Sequence, residues 1–262
     1  MNICGIIPAR MASSRFPGKP LARIKDIPMI GHVYLRCKMA ATLDDLWVAT
    51  CDAEIVDYIQ SIGGKAIMTA DSHERASERV AEALVTIEQN TGKKADIVVM
   101  IQGDEPLVRP EMIDEALEPL LKDNKVRITN LMQTITTTDE FEDPNEVKVV
   151  VDRFNDALYF SREPIPSRKK GVGDVPMFKQ VCIIPFRRDF LLEYVKMSPT
   201  PLEKIESVDM MRILENGMKV RMVLNSSQTK SVDTETDLAA VERLIESDPL
   251  LKVYRKSTQP HV

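Results

Sequence analysis

Along its first half the chain alternates between short unbroken apolar runs and longer stretches whose apolar residues recur every three or four positions. Residues 3–8 form an apolar run and predict a buried strand, while 28–39 have helical spacing with Pro28 in the first turn, where a missing N–H is harmless. Residues 46–50 read as a second strand. Asp52 follows as the N-cap of a helix with Ile55, Ile59 and Ile62 on one face, ended by Gly63-Gly64. A short strand at 65–68, a helix carrying Val80, Leu84 and Ile87 and ending before Gly92, a strand at 97–101 and a helix from 110 to about 121 continue the rhythm. Such alternation predicts an α/β fold, a mainly parallel sheet with helices on both faces, in which ligands bind beyond the carboxyl ends of the strands.

The second half breaks the rhythm. Residues 126–135, 147–151, 157–160 and 179–185 all look extended, which predicts an antiparallel excursion, at about 147–190, inserted into one domain spanning 1–262. Helices are expected at 189–196 and 202–215, a strand at 219–224 returning to the sheet, and a closing helix at about 235–247. The Pro-, Gly- and Lys-rich stretch 162–174 reads as a mobile loop or as an exposed hairpin connection.

Composition narrows the class without naming a function. With 262 residues, 44% hydrophobic and 29% charged, the chain suits a soluble globular protein with a full core. A net charge of -5 argues against nucleic acid as the main partner, so any basic cluster is a local feature suited to a small anion. The four cysteines lack any CxxC spacing and predict free thiols in a reducing compartment. No run reaches the length of a membrane span and the first residues lack a basic start, so a cytoplasmic protein without membrane insertion is expected. His32, His73 and His261 are too scattered to suggest a zinc cluster or a serine-histidine hydrolase.

Against that background the first loop stands out. Directly after the strand at 3–8 come Arg10, Arg15 and Lys19, three cations within ten residues among small residues that let backbone N–H groups approach an anion. Two arginine forks and a lysine point charge suit a triphosphate, although cations in a Pro/Gly turn can equally be solvated surface. Gly18-Lys19 runs into Pro20 and so is not a Walker A loop. Asp104 stands just past the strand at 97–101, and Asp233 precedes the last helix. Each reads singly as a turn or N-cap aspartate; together with the cations they outline a two-carboxylate Mg²⁺ site for phosphoryl or nucleotidyl transfer.

The run Ile6-Ile7-Pro8-Ala9-Arg10, followed by Ser14-Arg15 and Pro17-Gly18-Lys19-Pro20-Leu21, resembles the opening of the sugar-acid cytidylyltransferases, and of the 3-deoxy-manno-octulosonate (Kdo) cytidylyltransferases in particular. Further matches follow in the family's order: Val48-Ala49-Thr50, Gln102-Gly103-Asp104-Glu105-Pro106, Asn145 with Val147-Lys148-Val149-Val150, Ala157-Leu158-Tyr159-Phe160-Ser161-Arg162, Pro201-Leu202-Glu203, and Val232-Asp233-Thr234. The resemblance implies a doubly wound, Rossmann-like nucleotidyltransferase sheet with an inserted antiparallel dimerisation sheet. It also implies transfer of CMP from CTP to the anomeric hydroxyl of a 2-keto sugar acid, with Mg²⁺ as cofactor and a homodimer formed through the inserted sheet, to which the apolar runs 147–151 and 181–186 lend themselves.

By the same resemblance, Lys19, Arg10 and Asp104 are catalytic, and Pro8, Ala9, Arg10, Arg15, Lys19, Ser77, Arg79 and Gln102 bind the nucleotide. Gln102, Arg162, Gln180, Glu203 and Glu206 bind the sugar acid, with Arg162 expected on its carboxylate, and Asp104 and Asp233 hold the metal. Two segments depart from the family pattern. Arg75-Ala76-Ser77-Glu78-Arg79 replaces a Ser-Gly-Thr-Asp/Glu-Arg run, so that Arg75 either brings an extra cation to the site or points to solvent. Gln180-Val181-Cys182-Ile183-Ile184-Pro185-Phe186 replaces a run with histidine and tyrosine near the sugar, an exchange of hydrogen-bonding partners that makes a Kdo-like acid, such as an amino-substituted octulosonate, the expected acceptor over Kdo itself. A glycosyl-1-phosphate nucleotidyltransferase would open with Gly-x-Gly-Thr-Arg, and a non-catalytic module of this fold would lack Lys19, Asp104 or Asp233; neither pattern is met.

Overall fold

The computed structural model describes residues 1–12, 15–171 and 175–255. Its contacts separate two compact units, one of residues 1–114 with those from 228 on, the other of Glu115–Ser227. The insertion expected at 147–190 lies inside the second unit, which is wider.

The first unit opens with β1 (Ile3–Ala9), buried along its whole length, and a 3-10 turn at Lys19–Leu21. A small hairpin, β2 (Arg23–Ile24) and β3 (Ile27–Pro28), leads into α1 (Met29–Cys37). Then β4 (Asp45–Thr50), α2 (Ala53–Ser61), β5 (Ala66–Met68), α3 (Ala76–Thr91) and β6 (Ile97–Ile101) follow, before α4 (Pro110–Lys122). The order β6-β1-β4-β5 is parallel throughout and puts β1 inside. This is the expected α/β alternation. Residues 97–101, like 3–9, are all buried, as parallel strands covered on both faces require.

The second unit holds β7 (Thr129–Thr134), α5 (Thr138–Glu142), β8 (Lys148–Val151), β9 (Ala157–Ser161), β10 (Phe178–Val181), β11 (Ile183–Arg187), α6 (Arg188–Tyr194), α7 (Pro201–Glu206), α8 (Met210–Glu215) and β12 (Arg221–Leu224). Its sheet runs β12-β7-β10-β8-β9, antiparallel except for the β12–β7 pair. Three expectations are corrected here. The strand at 219–224 joins this second sheet through β7 and does not return to the parallel one. The extended run 179–185 is two strands divided at Cys182. The helix at 202–215 is two helices, because Ser207 adopts a left-handed φ of 53° that no helix continues through.

The chain then re-enters the first unit with α9 (Glu235–Glu246) and α10 (Pro249–Tyr254), the latter unforeseen. Val232, Val241 and Ile245 bury against Ile24, Met29 and Leu107, with Phe16 and Leu238 at the margin. Beside them lies a buried polar knot: His32 Nδ1 meets the Tyr254 hydroxyl at 2.7 Å, Arg36 Nε donates to the same oxygen at 3.2 Å, and Arg36 Nη2 donates to Asp248 at 2.8 Å. No disulfide joins any of the four cysteines, and burial pushes the Cys4 thiol up to about 12. Among the described residues no helix is long and apolar enough to cross a membrane.

Candidate active site

The cation loop folds as it does because three local contacts close it. Asp52 does not cap α2 with its side chain; its Oδ2 accepts instead from Met11 N at 2.8 Å and so anchors the start of the loop at the end of β4. Gly18 takes a left-handed φ of 75° and donates its N–H to Met11 O at 3.0 Å, a turn that glycine makes without strain. Lys19 then opens the 3-10 turn, with Pro20 behind it in the first turn, where a missing N–H is harmless.

Lys19 is the point of convergence. Its Nζ donates to Asp104 Oδ2 at 2.8 Å and to Asp233 Oδ1 at 3.2 Å, joining residues 85 and 214 positions away. Burial opposes its charge, but the two carboxylates outweigh that and hold its pKa above the ordinary lysine range. Arg15 Nη2 adds a further contact to Asp233 Oδ1 at 2.9 Å. Gly103 brings the loop after β6 so close to β1 that a Cβ there would stand 2.9 Å from Pro8 O. The close approach places Asp104 beside the loop after β1.

These residues line a cavity of about 320 Å³. Of the expected nucleotide and catalytic set, Pro8, Ala9, Arg10, Arg15, Lys19, Arg79, Gln102, Asp104 and Asp233 all reach it; Ser77 is buried in α3 and does not line it. Arg10 stands exposed at its mouth. Arg79 is buried, donates through Nη1 to Thr69 Oγ1 and to Ala70 O at 3.0 Å, and keeps a buried Nη2 with no partner. A buried unpaired guanidinium nitrogen is costly unless a ligand takes it. Arg75, half-buried, is among the residues that line the cavity.

Met29, His73 and Glu74 line it without having been singled out. His73 pairs through Nε2 with Glu82, whose carboxylate also accepts from Ala70 N at 3.0 Å and lies below the usual carboxylate range: burial opposes that, and the hydrogen bonds with the His73 and Arg79 charges outweigh it. Only the register of α3, unknown from one sequence, would have brought positions 73 and 82 together.

In the second unit the expected acid-binding residues have other duties. Glu203 is fully buried and chelated by Arg212, at 2.7 Å from Nε and 2.6 Å from Nη2, so it is corrected from substrate ligand to internal ion pair. Glu206 accepts from Tyr159 OH, Ser161 Oγ and Arg162 N. Arg162 donates from Nε to Glu206 O, from Nη1 to Pro144 O and from Nη2 to Ser207 O, so its fork ties chain segments together. Gln180 donates to Asn130 Oδ1 at 2.5 Å within the sheet. The run 181–186 is core, apart from half-buried Cys182, not an open dimer face.

A parallel sheet with a cationic loop after its inner strand, and two distant carboxylates meeting one lysine beside it, define a nucleotidyltransferase-type site. A cytidylyltransferase structure from Leptospira borgpetersenii shares the fold at 17% identity and a TM-score of 0.61, covering 100% of this chain and 98% of that one. The structure of CMP:2-keto-3-deoxy-manno-octonic acid synthetase complexed with CTP is similar at 36% identity and a TM-score of 0.86, covering 94% of this chain and 99% of that one. The chain belongs to the cytidylyltransferase family, whose model matches residues 4–220. Relatives at 43% and 41% identity are the 3-deoxy-manno-octulosonate cytidylyltransferases of Geobacter metallireducens, covering 93% of this chain and 98% of the relative, and of Solibacter usitatus, covering 95% and 96%.

Proposed function

We propose that this protein is a cytoplasmic, Mg²⁺-dependent enzyme that transfers CMP from CTP to the anomeric hydroxyl of Kdo, for cell-surface lipopolysaccharide, with release of pyrophosphate. The observation that carries the reading is the contact of Lys19 with both Asp104 and Asp233 in a cavity that Arg10 and Arg15 also reach. The anomeric oxygen forms a bond to the α-phosphorus while the bond to the bridging oxygen breaks, pyrophosphate leaves with the electron pair, and the hydroxyl proton passes to solvent. Nothing covalent forms on the protein, whose part is positioning and charge neutralisation. Arg10 and Arg15 suit the β- and γ-phosphates as forks, and Lys19 the oxygen that gains charge as pyrophosphate departs.

The donor set suits the metal: two oxygen-only side chains facing a polar cavity and already sharing one cation are what a hard ion that keeps several waters requires. Asp104 and Asp233 would hold it; when bound, Mg²⁺ neutralises phosphate charge and lowers the pKa of a bound hydroxyl. Arg79 Nη2 is the donor proposed for the base, and its lack of a protein partner supports that role.

Kdo is favoured as acceptor by the names of the relatives, and the departures that suggested an altered acid lie within the fold, Gln180 bonded to Asn130 and Ile184 buried in the core. The deciding experiment is pyrophosphate release from CTP and Mg²⁺ with Kdo, an amino-substituted octulosonate and unrelated acids in parallel. The highest kcat/KM is expected with Kdo. A silent panel would end the cytidylyl-transfer reading, and a strong preference for the amino-substituted octulosonate would move the acceptor.

A further inference from the structure

The separation of Asp104 and Asp233 is set by contacts that are not part of the cation cluster. On one side, Val232 N donates to Asp104 O at 2.9 Å, a backbone bond between the residue before one carboxylate and the residue bearing the other. Next to it, the Thr229 hydroxyl donates to Glu105 Oε2 at 2.7 Å, with Thr229 and Glu105 both buried. Beneath lie Val232 and Leu107, packed in one apolar cluster. On the other side, Asp237 Oδ2 accepts from Asp233 N at 3.3 Å, Thr234 N at 3.0 Å and Thr234 Oγ1 at 2.8 Å, fixing Asp233 to the first turn of α9. Lys230 Nζ reaches Asp237 Oδ1 at 3.2 Å and closes the loop over itself.

The geometry points to Glu105, Thr229 and Asp237 as positioning residues that hold the Asp104–Asp233 pair at the spacing Lys19 bridges. None of the three touches Lys19 in the contacts above; Glu105 and Thr229 act through the chain next to the cluster carboxylates, and Asp237 through the amide of Asp233. The physical need is plain: two carboxylates near one another repel, and a flexible pair would part whenever its cation is drawn toward phosphate. A buried hydroxyl–carboxylate bond resists that parting, because breaking it leaves both groups without water. Preorganised charge is also what makes such a site effective, since reorganisation then costs nothing during the reaction.

The inference rests on the cytidylyl-transfer reading only for its kinetic arm, and the experiment separates the two. Thr229→Val removes the hydroxyl and keeps the shape. Hydrogen exchange at the Val232 amide should quicken about tenfold, while the amides of β1 and β6 keep their protection. In the same variant kcat should fall about tenfold with the KM for CTP within about twofold, and Thr229→Ser should restore both readouts. Asp237→Asn, on the half-exposed first turn of α9, loosens Asp233 from the other side and should give the same split, which covers the case in which the valine variant does not fold. Unchanged exchange at Val232 in Thr229→Val, activity lost in step with protection of the whole sheet, or unaltered kcat in Asp237→Asn would each overturn the clamp. A wild-type protein that releases no pyrophosphate overturns the reaction and leaves the exchange result standing by itself.

Discussion

At the residue scale, Lys19 carries two burdens at once. Its ammonium is what allows Asp104 and Asp233 to face each other, and in the proposed reaction it meets the charge that gathers on the leaving pyrophosphate. Lys19→Ala should therefore cut kcat by about 10²-fold or more, the scale on which one preorganised charge contact acts. Pyrophosphate-release kinetics at saturating CTP check this, and near wild-type turnover would refute the clamp on the triphosphate. Gly103 sets a different limit, one of space. Its missing side chain faces Pro8 O at 2.9 Å and Ile30 Cδ1 at 3.2 Å, so Gly103→Ala must push the Asp104 loop away from β1. We expect a loss of roughly 1–3 kcal/mol in urea unfolding and a fall in kcat larger than that of a remote substitution of equal stability cost. Both residues were visible in the sequence as types: a lysine after a Gly turn, a glycine before an aspartate past a buried strand. What sequence could not supply was the register that makes positions 19, 104 and 233 meet, since nothing local links them.

At the element scale, the helix α10 illustrates what was hidden. Six residues from Pro249 to Tyr254 have too few periodic positions to announce a helix, yet Tyr254 and Asp248 satisfy a buried histidine and a buried arginine of α1. His32 in turn bonds Ile24 O at 2.9 Å through Nε2. Burial is the main reason that its pKa drops from 6.5 to about 4, with the nearby Arg36 charge adding to it. The sign follows directly. The unfolded chain takes a proton below pH 6.5 and the folded one does not until about 4, so stability is full above 6.5 and is lost as pH falls through that window. Unfolding free energy from urea titrations should drop by up to roughly 3 kcal/mol between pH 7 and pH 4 on this account, and His32→Gln should flatten that part of the profile. An equal slope in both proteins would show that other groups carry it. Most strands and helices of the first unit, such as β1, β6 and α2, were legible because each buries an apolar run or stripe of its own. The divisions at Cys182 and Ser207 were not, because a strand break and a left-handed serine leave no mark on hydrophobic period.

At the scale of the whole molecule, the exposed apolar residues of the second unit bear on association. We propose a homodimer through the second unit, on a face other than the one apolar composition suggested. Val181, Ile183, Ile184 and Phe186 are interior, whereas Leu158 on β9 is 61% exposed and Ile205 on α7 is 74% exposed. The strand β9 ends the order of its sheet, and although Ala157 N donates to Val220 O at 2.9 Å, its exposed leucine is a liability in a monomer and an asset at an interface. A second copy of the same chain is the occupant that satisfies both copies at once, since a two-fold contact buries the same patch twice. Leu158→Glu puts two carboxylates into that contact with no cation to meet them. Sedimentation equilibrium should find the wild type dimeric at micromolar concentration and the variant's dimer weakened by about 10²-fold or more, with thermal unfolding of β-sheet signal little changed. A wild type that sediments as a monomer would dismiss the interface. A Leu158→Glu protein that stays dimeric would shift it away from β9 and leave Ile205 and α7 to be tested by the same substitution.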